Sequence, residues 1–168
     1  SWVKPNEKFL RRAHYNRPTI DAAAWRLNRS GLVRPTVLTL DQLKAAPRQE
    51  VTFTLECSGN NGLPFAQSSV GNAQWAGARL ADVLRSVGIQ DKAVEVVFYG
   101  ADQGEVAANR GAPPEVRYPD TFARSIPVAA AMHPATILSP ESNGPPFRTP
   151  TPPPHPHIAP GCLRLPPS

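Results

Sequence analysis

The sequence predicts a mixed α+β domain that is dominated by β-sheet and has only short helices. Residues 51–57 alternate between apolar and polar side chains, which is the pattern of a half-buried strand. Residues 94–99 form a mostly apolar run, which is typical of a buried strand. Strands and helices do not alternate regularly along the chain, so we do not expect a doubly wound parallel sheet.

The first part of the chain is predicted to hold one strand and one short helix. Residues 1–21 have an irregular pattern that is interrupted by prolines, and residues 25–33 have the loose alternation of a strand. Thr39 and Gln42 have the spacing of a capping box, in which the two side chains bond each other's backbone amides. This spacing predicts a helix over residues 39–46, which Pro47 ends.

The strand of residues 51–57 is the clearest element of the sequence. Its alternation puts four residues on the apolar face: Val51, Phe53, Leu55 and Cys57. Residues 58–62 follow as a loop rich in Ser, Gly and Asn. The Cys57 thiol is therefore expected at a strand end, where it can face a cleft.

The second half is predicted to contain two helices and two strands. The apolar residues of 80–87 have the spacing of an amphipathic helix, with Gly88 as its C-terminal cap. The other elements follow in order: a strand over residues 94–99, a turn at 100–102, a loop over 103–120, a short strand within 122–128 and a short helix over 128–132.

The pattern of the chain changes at its end. Eleven of the 21 prolines lie between Pro140 and Pro167, and no helical or strand period continues there. A proline-rich segment cannot form a helix interior or a sheet ladder. We therefore divide the chain into a domain over residues 1–144 and an irregular proline-rich tail over residues 145–168.

Charge and composition narrow the classes of partner. The formal net charge of +5 favours a small anionic partner. The cations are scattered and are not interleaved with aromatic residues, so we do not expect nucleic-acid binding. No apolar run is long enough to span a membrane, and no signal peptide is visible. The two cysteines, Cys57 and Cys162, make no zinc pattern.

Cys57, Arg12, His14 and Asp102 are the candidates for chemistry. Cys57 fits a small buried hydrophobe, a nucleophile, or a thiolate ligand to a soft metal that a cofactor mostly holds. Arg12 and His14 would point to the same side of an extended chain, where they fit either an oxyanion-binding pair or a solvated arm. Asp102 fits either a turn cap or an acceptor for a cofactor ring.

The order of several short segments resembles the molybdopterin-binding domain of the sulfite oxidase family. These segments are FLRRAHY (residues 9–15), LTLDQL (38–43), LECSGN (55–60), VGNAQWAGARLADVL (70–84), VVFYGAD (96–102) and RSIP (124–127). Each segment is weak alone, but their order and spacing together are specific. The resemblance covers roughly residues 3–144 and implies the sheet-dominated fold of that family.

The resemblance also implies a cofactor, molybdenum-molybdopterin, and roles for individual residues. Cys57 would give its thiolate to the metal, Arg12 would lie near the substrate oxyanion, and His14 would help to bind the pterin. The cofactor pocket would be lined by Asp102 and by the loop residues Ser58, Gly59 and Asn60. The implied reaction is oxygen-atom transfer to a reduced sulfur anion such as sulfite, with electrons passed to a haem or cytochrome c acceptor. Family members are often bacterial periplasmic enzymes, which implies that location.

Three departures from the family pattern affect these expectations. Ala13 stands where the family has Asn, which implies the loss of one polar contact to the pterin. Asn61-Gly62 stands where sulfite oxidases have a second cation, so a different sulfur substrate is an alternative. The segment after Gly144 loses the family pattern, and no counterpart of the dimerisation domain follows, so no oligomeric state is predicted. The alternative function is a truncated, non-catalytic relic of the fold that binds no cofactor.

Overall fold

The computed structural model has two β-sheets and three short α-helices in the part of the chain that it describes, which confirms the predicted sheet-dominated α+β class. It describes residues 2–9, 15, 18–56, 70–107, 116–144 and 163–164. The strands are β1 (Arg26–Ser30), β2 (Thr36–Thr39), β3 (Arg48–Glu56), β4 (Val70–Arg79), β5 (Glu95–Ala107), β6 (Arg117–Pro127), β7 (Ile137–Ser142) and β8 (Leu163–Arg164). The helices are α1 (Leu40–Ala45), α2 (Leu80–Ser86) and α3 (Val128–Ala131).

The strands form a five-stranded sheet and a three-stranded sheet. The larger sheet has the order β2-β1-β8-β5-β6, and the smaller sheet has the order β3-β4-β7. All pairs are antiparallel except β1 with β8. The main core cluster draws side chains from both sheets and all three helices, among them Leu27, Leu84, Val96, Ala131 and Leu138. This shared core joins the two sheets.

The predicted helices are confirmed, and the strand predicted over residues 51–57 is confirmed as far as Glu56, because their signals are local. The Thr39 side chain accepts a hydrogen bond from the Gln42 amide, and the Gln42 side chain accepts one from the Thr39 amide, so the capping box is complete. In α2, Leu80 and Leu84 are fully buried. Gly88 follows α2 with a φ of 66°, the conformation that favours glycine after a helix.

Four strands were not predicted: β2, β4, β7 and β8. Strand β4 is rich in Gly, Ala, Asn and Gln, which carry little strand signal by composition. Its Gly77 allows the backbone of β7 to approach closely, since a Cβ at that position would lie 1.9 Å from the carbonyl oxygen of Leu138. Small residues are therefore a requirement of this pairing, although they conceal the strand from a hydrophobic pattern.

The predicted loop over residues 103–120 is wrong at residues 103–107 and 117–120, which are strand, and residues 108–115 lie outside the described residues. Strand β5 continues to Ala107, and β6 begins at Arg117 and pairs with residues 95–99 and 103–107 of β5. Pro119 is tolerated within β6 because β6 is the edge strand of its sheet. A shift in register between Tyr99 and Gln103 replaces the predicted turn at 100–102, so the chain bulges there but stays in the sheet.

The predicted tail is described only at Leu163–Arg164. These two residues form β8, between β1 and β5, outside the densest run of prolines. The remainder of residues 145–168 lies outside the described residues, so the division at residue 144 stays a prediction. Within the described part of the chain, the helices are too short to cross a membrane.

Candidate functional site

Most of the predicted site residues lie outside the part of the chain that the structure describes. This holds for Arg12, His14, Cys57, Ser58, Gly59 and Asn60. Asp102 is described, and so are residues that adjoin the others in sequence: Tyr15 follows His14, and Glu56 precedes Cys57. The site can therefore be built from these neighbours and from the elements that hold them.

Phe9 anchors the chain on the N-terminal side of Arg12. Its side chain is buried and meets the ring of Trp75 edge to face, with the ring centroids 5.8 Å apart. A Cβ on Gly71 would lie 3.0 Å from the Phe9 ring, so the ring rests on this glycine. Gly71 pairs with Leu55, two residues before Cys57. Phe9 therefore lies beside the end of β3 from which Cys57 continues.

A network of polar side chains holds the N-terminal arm, residues 2–9, against the smaller sheet. Asn6 donates a hydrogen bond to the carbonyl oxygen of Ser142 (2.9 Å) and accepts one from the Asn143 side chain (2.7 Å). Asn143 also donates to the carbonyl oxygen of Lys4 and accepts from the amide of Gln74. Its φ of 55° is unusual for a residue with a side chain. These bonds fix the arm that leads to Phe9.

Tyr15 anchors the chain on the C-terminal side of His14. Its ring lies against Gly104 of β5, where a Cβ would come within 2.2 Å of the ring. Its hydroxyl donates a short hydrogen bond to the carboxylate of Asp120 on β6. That hydrogen bond, together with burial and the charges of Asp120 and Asp102, raises the pKa of Tyr15 to about 12. Tyr15 is thus held, with its proton on the hydroxyl, across both strands of the β5–β6 pair.

Asp102 is a buried carboxylate in strand β5, so its predicted position in a turn is corrected. It is 7% exposed and lies in the stretch of β5 that leaves the regular register with β6. It lies two residues before Gly104, against which the Tyr15 ring lies, and its charge is one of those that raise the pKa of Tyr15. A bulge can aim a side chain away from the regular alternation of a strand. The structure thus brings Asp102 and the residue after His14 together.

The spacing of the two anchors limits how far apart the parts of the site can lie. Phe9 and Tyr15 are six residues apart, and six residues of extended chain span at most about 20 Å. The end of β3 and the bulge of β5 are therefore both within reach of the segment that carries Arg12 and His14. The anchoring by Tyr15 could not be predicted from the sequence, because Gly104 and Asp120 lie far along the chain.

The described residues contain no cluster of three or more His, Cys, Asp or Glu side chains that could hold a metal ion.

Comparison with known proteins gives a consistent result. The family model described as the oxidoreductase molybdopterin binding domain matches residues 14–162. Mitochondrial sulfite oxidase of Drosophila melanogaster is 36% identical over 157 residues, which cover 85% of this chain and 25% of that protein. Its counterpart in Rattus norvegicus is 34% identical over 164 residues, covering 88% and 28%. The chain thus spans about a quarter of the length of these relatives.

A solved structure supports the fold. The sulfane dehydrogenase SoxCD from Paracoccus pantotrophus has a TM-score of 0.70 and 23% sequence identity, and the match covers 88% of this chain and 36% of that chain. At this level of identity the likeness shows the fold alone. The matched family model covers most of the sequence, and this chain belongs to the sulfite oxidase family as a molybdopterin-binding oxidoreductase domain.

Proposed function

We propose that this domain binds molybdopterin with its molybdenum on the Cys57 thiolate, and that it oxidises a small sulfur-containing anion such as sulfite. The observation that carries the proposal is the pair of anchors, Phe9 beside Gly71 and Tyr15 against Gly104. Phe9 lies beside the strand that leads to Cys57, and Tyr15 lies at the part of β5 that carries Asp102, so the residues that flank Arg12 and His14 in sequence support this site.

The donor set fits this cofactor. A thiolate is the ligand that a soft metal centre accepts, and one protein ligand is enough where the cofactor supplies others. A guanidinium and an imidazole suit the anionic substrate and the polar pterin. A buried carboxylate such as Asp102 can accept hydrogen bonds from ring N–H groups. When bound, molybdenum-molybdopterin supplies two-electron redox chemistry with transfer of an oxygen atom.

The chain's own residues have three tasks in this proposal. Arg12 binds the oxyanion of the substrate in a bidentate manner and orients it. His14 donates a hydrogen bond to the pterin, and Asp102 accepts one from it. Ser58, Gly59 and Asn60 line the pocket next to Cys57. The protein thus positions the cofactor and substrate, while the cofactor provides the reactivity.

The substrate and the electron acceptor are the finer part of the proposal. The relatives are named for sulfite and the structural neighbour for sulfane, which supports a sulfur-containing substrate. The excess of positive charge favours an anion. Electrons would leave the domain to a haem group or cytochrome c, and a periplasmic location would suit such an acceptor.

Molybdenum content per chain tests the role of Cys57. The wild-type chain, made in a host that synthesises molybdopterin, should carry close to one molybdenum by elemental mass spectrometry. Cys57→Ser should lose the metal and keep its circular dichroism spectrum, because the substitution removes a ligand and leaves the fold. Cys162→Ser is the matched control and should keep the metal. Equal molybdenum in wild type and Cys57→Ser would rule out the ligand role.

Reduction of cytochrome c tests the reaction. The loaded wild-type chain should reduce it when sulfite is added, and the rate should fall in Cys57→Ser. A folded wild-type chain that takes up no molybdenum would favour the non-catalytic alternative instead.

A further inference from the structure

Arg29 lies on the inward face of strand β1, at a position where an apolar side chain would be expected. Buried and exposed residues alternate along this strand, and Leu27 and Arg29 are both only 6% exposed. Leu27 belongs to the main core cluster. Arg29 therefore brings a guanidinium group to the side of the strand that packs on the core.

The guanidinium of Arg29 is not neutralised by the described part of the protein. Its Nε atom is buried without a hydrogen-bond partner there, and none of the ion pairs among these residues involves it. Burial lowers the pKa of Arg29. A charge removed from water without a partner is costly, so buried arginines are normally matched by an anion.

Arg29 lines a cavity of about 200 Å³ between β1, β2, α1 and α2. A second guanidinium on its wall, that of Arg79, donates two hydrogen bonds to the neutral side chain of Gln49. The carboxylate on the wall, that of Asp82, is paired with Arg85 at 3.4 Å. The rest of the lining is mainly apolar, including Leu38 and Val83. The cavity thus combines positive charge with apolar walls.

The cavity is remote from the proposed cofactor site. It lies beside Ala46 and Pro47, just before β3 begins, and beside Ala78 and Arg79, where β4 ends. Cys57 follows the opposite end of β3. A strand of nine residues is roughly 27 Å long, so the two sites are separate.

We propose that this cavity binds a small oxyanion, with a short-chain organic carboxylate as the preferred form. The guanidinium of Arg29 would grip the two oxygens of the anion, which is the bidentate geometry that arginine favours. The apolar walls would hold the short carbon chain. An inorganic oxyanion such as sulfate shares the charge and the oxygens but gains nothing from those walls.

Isothermal titration calorimetry at constant ionic strength tests this proposal, with butyrate and sulfate as the probes. The full chain should bind butyrate, and Arg29→Met should weaken that binding by about tenfold or more. A loss of this size is expected when a hydrogen bond between two charged groups is removed. Arg26→Met is the matched control, because Arg26 lies on the same strand but faces outward. Its affinity for butyrate should equal that of the wild type.

The two probes separate the sources of the anion. Tighter binding of butyrate than of sulfate would support an organic carboxylate, and equal or tighter binding of sulfate would support an inorganic oxyanion in the same site. Absence of binding for both probes, or unchanged binding in Arg29→Met, would overturn the proposal.

A second variant keeps the test independent of the charge. Ala46→Leu would fill part of the cavity without touching Arg29, so it should also weaken butyrate binding. Unchanged affinity in a folded Ala46→Leu chain would show that the anion binds elsewhere and would overturn the proposal.

Discussion

Gly77→Ala is expected to separate β7 from β4 and to lower the free energy of unfolding by about 3 kcal/mol. The added Cβ would lie 1.9 Å from the carbonyl oxygen of Leu138 and 2.7 Å from the Cα of Ser139. Carbon and oxygen atoms normally approach no closer than about 3.3 Å, so the strands would have to move apart by more than about 1 Å. Because the obstruction is backbone, a change of side-chain rotamer cannot relieve it.

The magnitude follows from the hydrogen bonds that such a movement would break. The Leu80 amide donates to the carbonyl oxygen of Thr136 at 2.9 Å, and the Ser139 hydroxyl donates to that of Ala76 at 2.8 Å. A further 1 Å takes both bonds past the useful limit of about 3.5 Å, and at least one ladder bond of the β4–β7 pair would follow. Each lost bond costs about 1 kcal/mol.

Urea denaturation followed by circular dichroism measures the effect, with thermal melting as a second measure. For a domain of this size, a loss of about 3 kcal/mol corresponds to a fall in Tm of roughly 6–12 °C. Gly144→Ala is the matched control, since Gly144 has a φ of 97° and nothing within 4 Å of an added Cβ. It should cost only about 1 kcal/mol, from backbone strain. Equal losses in the two variants would refute the argument from close approach.

Two other substitutions test how the N-terminal part of the chain is anchored. The folded chain holds the Tyr15 proton up to a pKa of about 12, whereas an unfolded tyrosine loses its proton near pH 10.0. The stabilisation of the folded state by this proton is therefore complete below pH 10 and is lost as the pH rises toward 12. Tyr15→Phe should remove this part of the pH dependence of the free energy of unfolding in urea. The same slope of that free energy against pH in Tyr15→Phe and wild type would contradict the hydrogen bond to Asp120. Asn143→Gly keeps a residue that tolerates the φ of 55° but removes the side-chain hydrogen bonds to Lys4, Asn6 and Gln74. It should lower the free energy of unfolding by about 2 kcal/mol and speed proteolysis within residues 2–9. An unchanged rate of proteolysis would show that other contacts hold the arm.

The elements that the sequence predicted well are those whose signals lie within a few residues. The capping box of α1 and the helical spacing of α2 need no information from elsewhere in the chain. Strand β3 can be predicted from its alternating sequence, because one face packs on the smaller core cluster through Val51 and Leu55 while the other is solvated. Local pattern and tertiary structure agree in these segments.

The elements that were missed depend on partners far along the chain. The backbone of β7 lies very close to β4, so β4 needs small residues there. Such residues have little preference for strands, and β4 is therefore hard to predict from its sequence. The second half of β5 is polar and was interpreted as a loop, but its pairing with β6 provides the hydrogen bonds that hold it extended. Asp102 was misplaced for the same reason, because a bulge is defined by the partner strand.

The N-terminal part of the chain connects the two sheets at the proposed site. Residues 2–9 are bonded to β4 and to the end of β7 in the smaller sheet, whereas Tyr15 is bonded to the β5–β6 pair in the larger one. The described residues on the two sides of Arg12 and His14 are therefore held by different sheets. Asn143 holds residues 2–9 through its side-chain bonds, and Tyr15 is held by Asp120. A cofactor that needs both ends would bind only the folded chain, and its binding would in turn stabilise the contact between the sheets.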